Sequence, residues 1–203
     1  LGNALSDLSR LDAAIKCYEK AVALKPDYAE AFNNLGNTLR DLGRLDAAVK
    51  CYEKAVALKP DYAEAYHNLG STIKRLKRKD EALASYERAI VLNPNLNFIL
   101  GDLLCTKMSL CLWDDLEKHL DELTNKINNN EKVINPFHML ALIDDPEVQR
   151  KVAAIYANEK YPQSHVLSKI ERYPKYKKIR IGYVSGDFHN HATMHLMAEL
   201  FEC

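Results

Sequence analysis

The sequence predicts a mostly α-helical protein, a superhelix of stacked helical hairpins leading through a helical connector into the first strand-helix unit of an α/β domain. Three observations predict it. A 34-residue unit repeats, since KPDYAEAFNNLGNTLRDLGRLDAAVKCYEKAVAL from Lys25 is followed by KPDYAEAYHNLGSTIKRLKRKDEALASYERAIVL from Lys59. Small and bulky residues recur in register: Phe32 with Tyr66, Leu35 with Leu69, Gly36 with Gly70, Ala48 with Ala82, Tyr52 with Tyr86, Ala55 with Ala89 and Pro60 with Pro94. Near the other end, KIRIGYVSGDF reads as a buried strand closed by Ser185 and Gly186.

Each element follows from local chemistry. Gly36, Ala48 and Ala55 let two antiparallel helices approach closely while Leu35 and Tyr52 fill the space between them. Asp46 and Asp80 are placed to accept first-turn amide hydrogens of the second helices, and Pro60 and Pro94 end the units. Residues 1–26 form a unit lacking its first few residues, and residues 27–96 hold two complete ones. The repeat region is thus 1–96. Leu100, Leu103, Leu116, Leu120 and Leu123 keep the apolar spacing without the glycine, so 97–130 is expected to be a degenerate capping repeat.

The triple asparagine at 128–130 marks a break, after which 131–177 reads as a helical connector. Within it VINPFHMLAL is a loop leading into an apolar segment, and residues 145–159 are expected to be helical with Pro146 in the first turn. The strand at 179–184 and a helix from Ala192 cannot make a sheet alone. Residues 178–203 are therefore expected to begin an α/β domain that is truncated here, and the start at Leu1, without an initiator methionine, also reads as a segment of a longer protein.

Composition excludes several classes. The chain has 203 residues with 47% apolar content, enough for a packed core, and its 28 lysines and arginines balance 28 aspartates and glutamates. No field of one sign invites nucleic acid or an anionic membrane, and the basic runs KRLKRK and KYKKIR lack interleaved stacking aromatics. No apolar stretch is long enough to span a bilayer, and the chain is expected to be cytoplasmic. Five cysteines, with Cys17 and Cys51 on apolar helix faces, suggest buried reduced thiols and no disulfide framework.

The aromatic, Leu-Gly, Ala, aromatic, Ala and Pro spacing resembles the tetratricopeptide repeat. That resemblance implies a groove lined by the first helix of each hairpin, with Asn34 and Asn37 in one unit and His67, Asn68 and Ser71 in the next. Asn34 and Asn68 share one position. An amide there offers a donor and an acceptor to the backbone of an extended peptide, and it equally fits a tolerated polar residue on an exposed helix face. Capture of a terminal carboxylate, as in co-chaperone repeats, is disfavoured by Glu30, Asn33, Glu64 and His67, although Arg40 and Lys74 lie deeper on that face.

The repeats, then WDDLEKHLDEL and NPFHMLAL, then KIRIGYVSGDFHNHATMHLMAELFE, together resemble the O-linked N-acetylglucosamine transferases and their bacterial relatives, over essentially the whole chain. The family has two facing Rossmann-like domains of the GT-B type, so the resemblance implies transfer of N-acetylglucosamine from a uridine diphosphate sugar to serine or threonine of acceptor proteins. It implies His191 as the catalytic histidine of the sugar pocket, with Asp187, Phe188, Asn190, Thr193 and His195 around it. Ala192 stands where the family usually has proline. The sugar nucleotide would be a substrate of the whole enzyme, with no cofactor bound by this segment, which alone is expected to be inactive.

Other readings compete. His189, His191 and His195 have a metal-like spacing, but no acidic or cysteine ligand is convincingly placed, so no metal is expected. The stretch lacks G-x-G-x-x-G and thus a dinucleotide fingerprint. His138 is expected to pack between the capping repeat and the catalytic domain. The alternative function is a non-enzymatic repeat scaffold binding partner proteins, and homo-oligomerisation through the repeats is compatible with either reading.

Overall fold

The computed structural model describes residues 11–160. The chain divides into two compact units, Leu1–Gln163 and Ser164–Cys203, and the described residues belong to the first. All of their regular structure is helical: α1 (Leu11–Leu24), α2 (Ala29–Asp41), α3 (Leu45–Leu58), α4 (Ala63–Arg75), α5 (Lys79–Leu92), α6 (Ile99–Ser109), α7 (Leu116–Asn128), a single turn α8 (Pro136–Met139) and α9 (Pro146–Lys160). The strand expected at 179–184 lies outside the described residues.

From α1 to α6 each helix packs on its neighbours in sequence, and α2, α4 and α6, the first helices of successive hairpins, also touch one another. The packing has a steric cause. A β-carbon at Gly36 would come within 2.6 Å of the Tyr52 ring, and one at Gly70 within 2.9 Å of Tyr86. Tyr52 and Tyr86, 0% and 1% exposed, fill the space those glycines leave, and burying such a ring stabilises by about 1.5–3 kcal/mol. Leu35, Leu39, Val49, Leu69, Ile73, Ile99 and Leu103 join them in one continuous core.

The 34-residue period persists in backbone detail beyond the second full unit. The hydroxyls of Thr38, Thr72 and Thr106 donate to the carbonyls of Asn34, Asn68 and Asp102 at 2.9, 2.8 and 2.7 Å. After each of these helices one residue turns left-handed: Gly43 at φ 76°, Lys77 at 64° and Cys111 at 57°. The α6–α7 hairpin thus keeps the repeat's internal bond and its turn, although α6 packs more on α5 than on α7.

Two features differ from the sequence expectation. The residues preceding α3 and α5 are Arg44 and Arg78, with no side-chain capping bond, so Asp46 and Asp80 lie inside the first turn. Their carboxylates act on the amide dipoles through charge and do not cap as expected. Cys17 and Cys51 are half-buried, not fully buried, and the described cysteines are free thiols, with burial pushing Cys51 up to about 11.

A second core closes the array. Leu100, Leu104, Leu123, Ile127, Val133, Ile134, Met139 and Val152 cluster there, and Ile90 touches both cores. The irregular stretch 131–134 crosses the start of α6, where the Phe98 and Gly101 amides donate to the carbonyls of Lys132 and Val133 at 2.6 and 2.9 Å. Two helix-start donors are thereby satisfied by backbone instead of a side-chain cap. Gly101 makes the crossing fit, since a β-carbon there would lie 2.6 Å from Ile134 Cγ1 and 2.9 Å from its Cα. At α9, Asp145 Oδ1 accepts from the Glu147 and Val148 amides at 2.9 and 3.3 Å.

Candidate functional site on the first-helix face

The face built by α2, α4 and α6 carries a polar network. Asn68 Nδ2 donates to Asn33 Oδ1 at 3.0 Å, and Arg40 Nη1 donates to Asn68 Oδ1 at 3.4 Å, linking the two hairpins. Asn33 is 1% exposed, and its Nδ2 is buried without a hydrogen-bond partner. The core tyrosines reach this face with their hydroxyls. Tyr52 donates to Asn37 Oδ1 at 2.8 Å and Tyr86 donates to Ser71 Oγ at 3.2 Å, so each buried ring also fixes a side chain of the adjacent first helix.

The threonine bonds place Asp102 in α6 where Asn34 and Asn68 stand in α2 and α4. The column therefore reads Asn, Asn, Asp. The Asp102 carboxylate lies 2.8 Å from His67 Nε2 and 3.6 Å from His138 Nδ1. Burial, the largest influence, and then Arg40, Thr72 and their neighbours leave the Tyr52 hydroxyl at about 12; burial likewise holds Tyr62 near 12 and raises Tyr86.

At the outer edge, Lys25 lies over the Tyr28 ring at 5.1 Å and Lys59 over Tyr62 at 4.9 Å, which are equivalent pairs in consecutive KPDY segments. Lys59 also pairs with Glu30 at 3.2 Å. A hydrogen bond from its own backbone amide, then Lys59, holds the Glu30 carboxyl below the usual range.

Comparison with known proteins agrees with this geometry. Residues 2–40 and 36–77 match the family described as TPR repeat, and residues 63–96 match the tetratricopeptide repeat. Residues 2–96 are tetratricopeptide repeats. Among solved structures, the first tetratricopeptide repeat domain of Spaghetti (RPAP3), bound to the HSP90 peptide SRMEEVD, is 28% identical with a TM-score of 0.53, covering 54% of this chain and 87% of that one. Two structures of MamA, each 24% identical with TM-scores of 0.58 and 0.57, cover 78% and 82% of this chain and 96% and 94% of theirs, and share the fold.

Among curated proteins, a probable UDP-N-acetylglucosamine–peptide N-acetylglucosaminyltransferase, SEC, of Arabidopsis thaliana is 35% identical over 114 residues. The match takes in 49% of this chain, which spans only 12% of that relative's length. The tetratricopeptide repeats make this part of the chain a protein-interaction scaffold.

The sequence-expected groove residues Asn37, His67, Asn68 and Ser71 all fall on the first-helix face, each half-buried, as does Asn34. Sequence reasoning did not give Asn33, Asp102 or the hydroxyls of Tyr52 and Tyr86 a place in this network. Counting 34 residues on from Asn34 and Asn68 reaches Asp102, the signal that was available. His191 and its neighbours Asp187, Phe188, Asn190, Thr193 and His195 lie outside the described residues. Among the described residues no cluster of ligating side chains could hold a metal ion, and no helix is long and apolar enough to cross a membrane.

Proposed function

We propose that this chain is the acceptor-binding part, and the entry to the catalytic part, of a protein O-glycosyltransferase that moves N-acetylglucosamine from its uridine diphosphate donor to serine or threonine. The observation that carries the binding half is the repeated asparagine at 34 and 68, on adjacent first helices whose carbonyls take the same threonine bond. Side-chain amides at a constant repeat position can pair with the backbone of an extended peptide whatever its side chains.

The catalytic half rests on the resemblance of KIRIGYVSGDFHNHATMH to the transferases' entry motif, while the Arabidopsis transferase, matched over 12% of its length, bears on the repeat half alone. A neutral imidazole at His191 would orient the acceptor hydroxyl or take its proton as the anomeric bond forms, contributing about 10²–10⁴-fold. In the full-length enzyme, His191→Ala is expected to cut turnover by that factor with the unfolding transition unchanged. Full turnover in the variant would remove His191 from the chemistry. The scaffold-only reading has its own support in the peptide-bound repeat domain of Spaghetti, and predicts peptide binding with no sugar transfer by the full-length protein.

A further inference from the structure

Two cations on the first-helix face play no part in reading a peptide backbone. Arg40 and Lys74 stand one repeat apart, in the last turns of α2 and α4, and both are half-buried. Each reaches toward the next hairpin. Arg40 Nη1 donates to Asn68 Oδ1 at 3.4 Å, and the charge of Lys74 is felt by Cys105 of α6 and His138 of α8. The pair thus flanks the asparagine column on the side away from Glu30 and Glu64, which lie in the first turns of the same helices.

Two acids of this face are already answered, whereas the cations are not. Glu30 pairs with Lys59 at 3.2 Å, and Asp102 lies 2.8 Å from His67 Nε2. Glu64 is exposed to water. Arg40 meets one carboxylate, that of its exposed chain neighbour Asp41, through Nε at 3.3 Å, so its guanidinium fork has no bidentate partner. Lys74 makes no ion pair and no side-chain hydrogen bond among the described residues. Lysines are seldom drawn out of water without a partner, and a carboxylate accepting from arginine or lysine makes the stronger class of hydrogen bond.

Spacing fixes how an acidic ligand would lie. The α2 and α4 helices touch, and helices in contact have axes about 8–10 Å apart. A polyproline II chain turns once in three residues and advances about 3.1 Å per residue, so it presents the same direction again after about 9 Å. A peptide crossing both helices along the asparagine column therefore offers side chains i and i+3 to Arg40 and Lys74. We propose that Arg40 and Lys74 are specificity residues of the peptide groove, selecting segments that carry internal carboxylate side chains three residues apart. The selection rests on the reading of this face as a peptide groove, which the transferase and the scaffold share, and not on sugar transfer.

Fluorescence anisotropy with dye-labelled, C-terminally amidated serine-containing peptides and the full-length protein tests it. One peptide carries Glu at i and i+3, and a second carries Gln at both. The Glu peptide is expected to bind about tenfold more tightly at about 0.1 M salt, with the ratio shrinking toward one at about 1 M. Lys74→Gln, at a side chain with no bond to lose, should reduce the ratio to about threefold, and Arg40→Gln/Lys74→Gln should abolish it. Equal affinity for the two peptides overturns the proposal and leaves the groove standing, as does a preference that survives the double variant. Failure of both peptides to bind removes the groove and the proposal together. A preference found only when the peptides are repeated with a free C-terminal carboxylate overturns it in favour of terminal capture. Should the double variant not fold, Lys74→Gln decides alone, and an unchanged ratio there overturns the assignment.

Discussion

The Tyr52 ring occupies the volume that a side chain at position 36 would need: Gly36 brings α2 so close to α3 that an added β-carbon would lie 2.6 Å from Tyr52 Cε1. Tyr52 has little freedom to yield, being 0% exposed and tied to Asn37 through its hydroxyl. Alanine at 36 should gain about 1 kcal/mol in helix propensity and lose about 1–3 kcal/mol to overpacking. Gly36→Ala is therefore expected to destabilise by up to about 2 kcal/mol in urea unfolding, and to weaken the Tyr52–Asn37 bond that faces the candidate site. An unchanged midpoint would mean that the ring moves freely.

Lys77 adopts, one repeat later, the left-handed backbone of Gly43, at φ 64° against 76°. Both positions close the same kind of turn, with Gly43 and Arg44 amides donating to the carbonyls of Arg40 and Leu39, and those of Lys77 and Arg78 to Lys74 and Ile73. A β-carbon in that conformation costs about 1 kcal/mol. Lys77→Gly should accordingly stabilise by about 0.5–1 kcal/mol, and Gly43→Ala should destabilise by about as much even though its β-carbon meets nothing within 4 Å. Thermal unfolding of the two variants checks the pair, and a loss of stability in Lys77→Gly would refute the assignment of strain.

The buried tyrosines set an alkaline limit. An unfolded tyrosine ionises near 10, while burial holds the folded Tyr52 hydroxyl to about 12. The folded state keeps its proton longer, so stability falls as the pH rises above 10 and levels off beyond the folded value. For Tyr52 the slope is about 1.4 kcal/mol per pH unit in that window. Tyr52→Phe, which also leaves Asn37 without its donor, should cost about 1 kcal/mol at neutral pH and flatten the alkaline slope. Unfolding midpoints at neutral and alkaline pH measure both.

The hairpins were legible in the sequence because their packing is local and periodic: Gly36, Tyr52 and Ala55 write the same steric demand that Gly70, Tyr86 and Ala89 repeat. The third first helix was harder. Asp102 keeps the asparagine's place but not its residue type, and Gly101 answers to Ile134, a contact across the closing segment that leaves no periodic trace. Capping was misread at Asp46 and Asp80 because short acidic residues suit both the cap and the first turn, and the backbone placed them in the second. His138 is expected from the sequence to pack between the capping repeat and the catalytic domain. Its bonds to Asn135 and proximity to Asp102 depend on how α8 folds back, which no spacing encodes.

The most direct test of the central claim is an assay of sugar transfer by the full-length protein, comparing Asn34→Ala/Asn68→Ala with wild type on one long and one short serine-containing acceptor. Asn68→Ala also frees Asn33 and Arg40 from their bonds, so the variant's unfolding curve is recorded beside its kinetics. A peptide lying along the column loses two backbone contacts in the variant, so kcat/KM for the long acceptor should fall by about tenfold or more, with the short acceptor little affected. Equal losses on both acceptors would contradict the claim that this face holds the peptide.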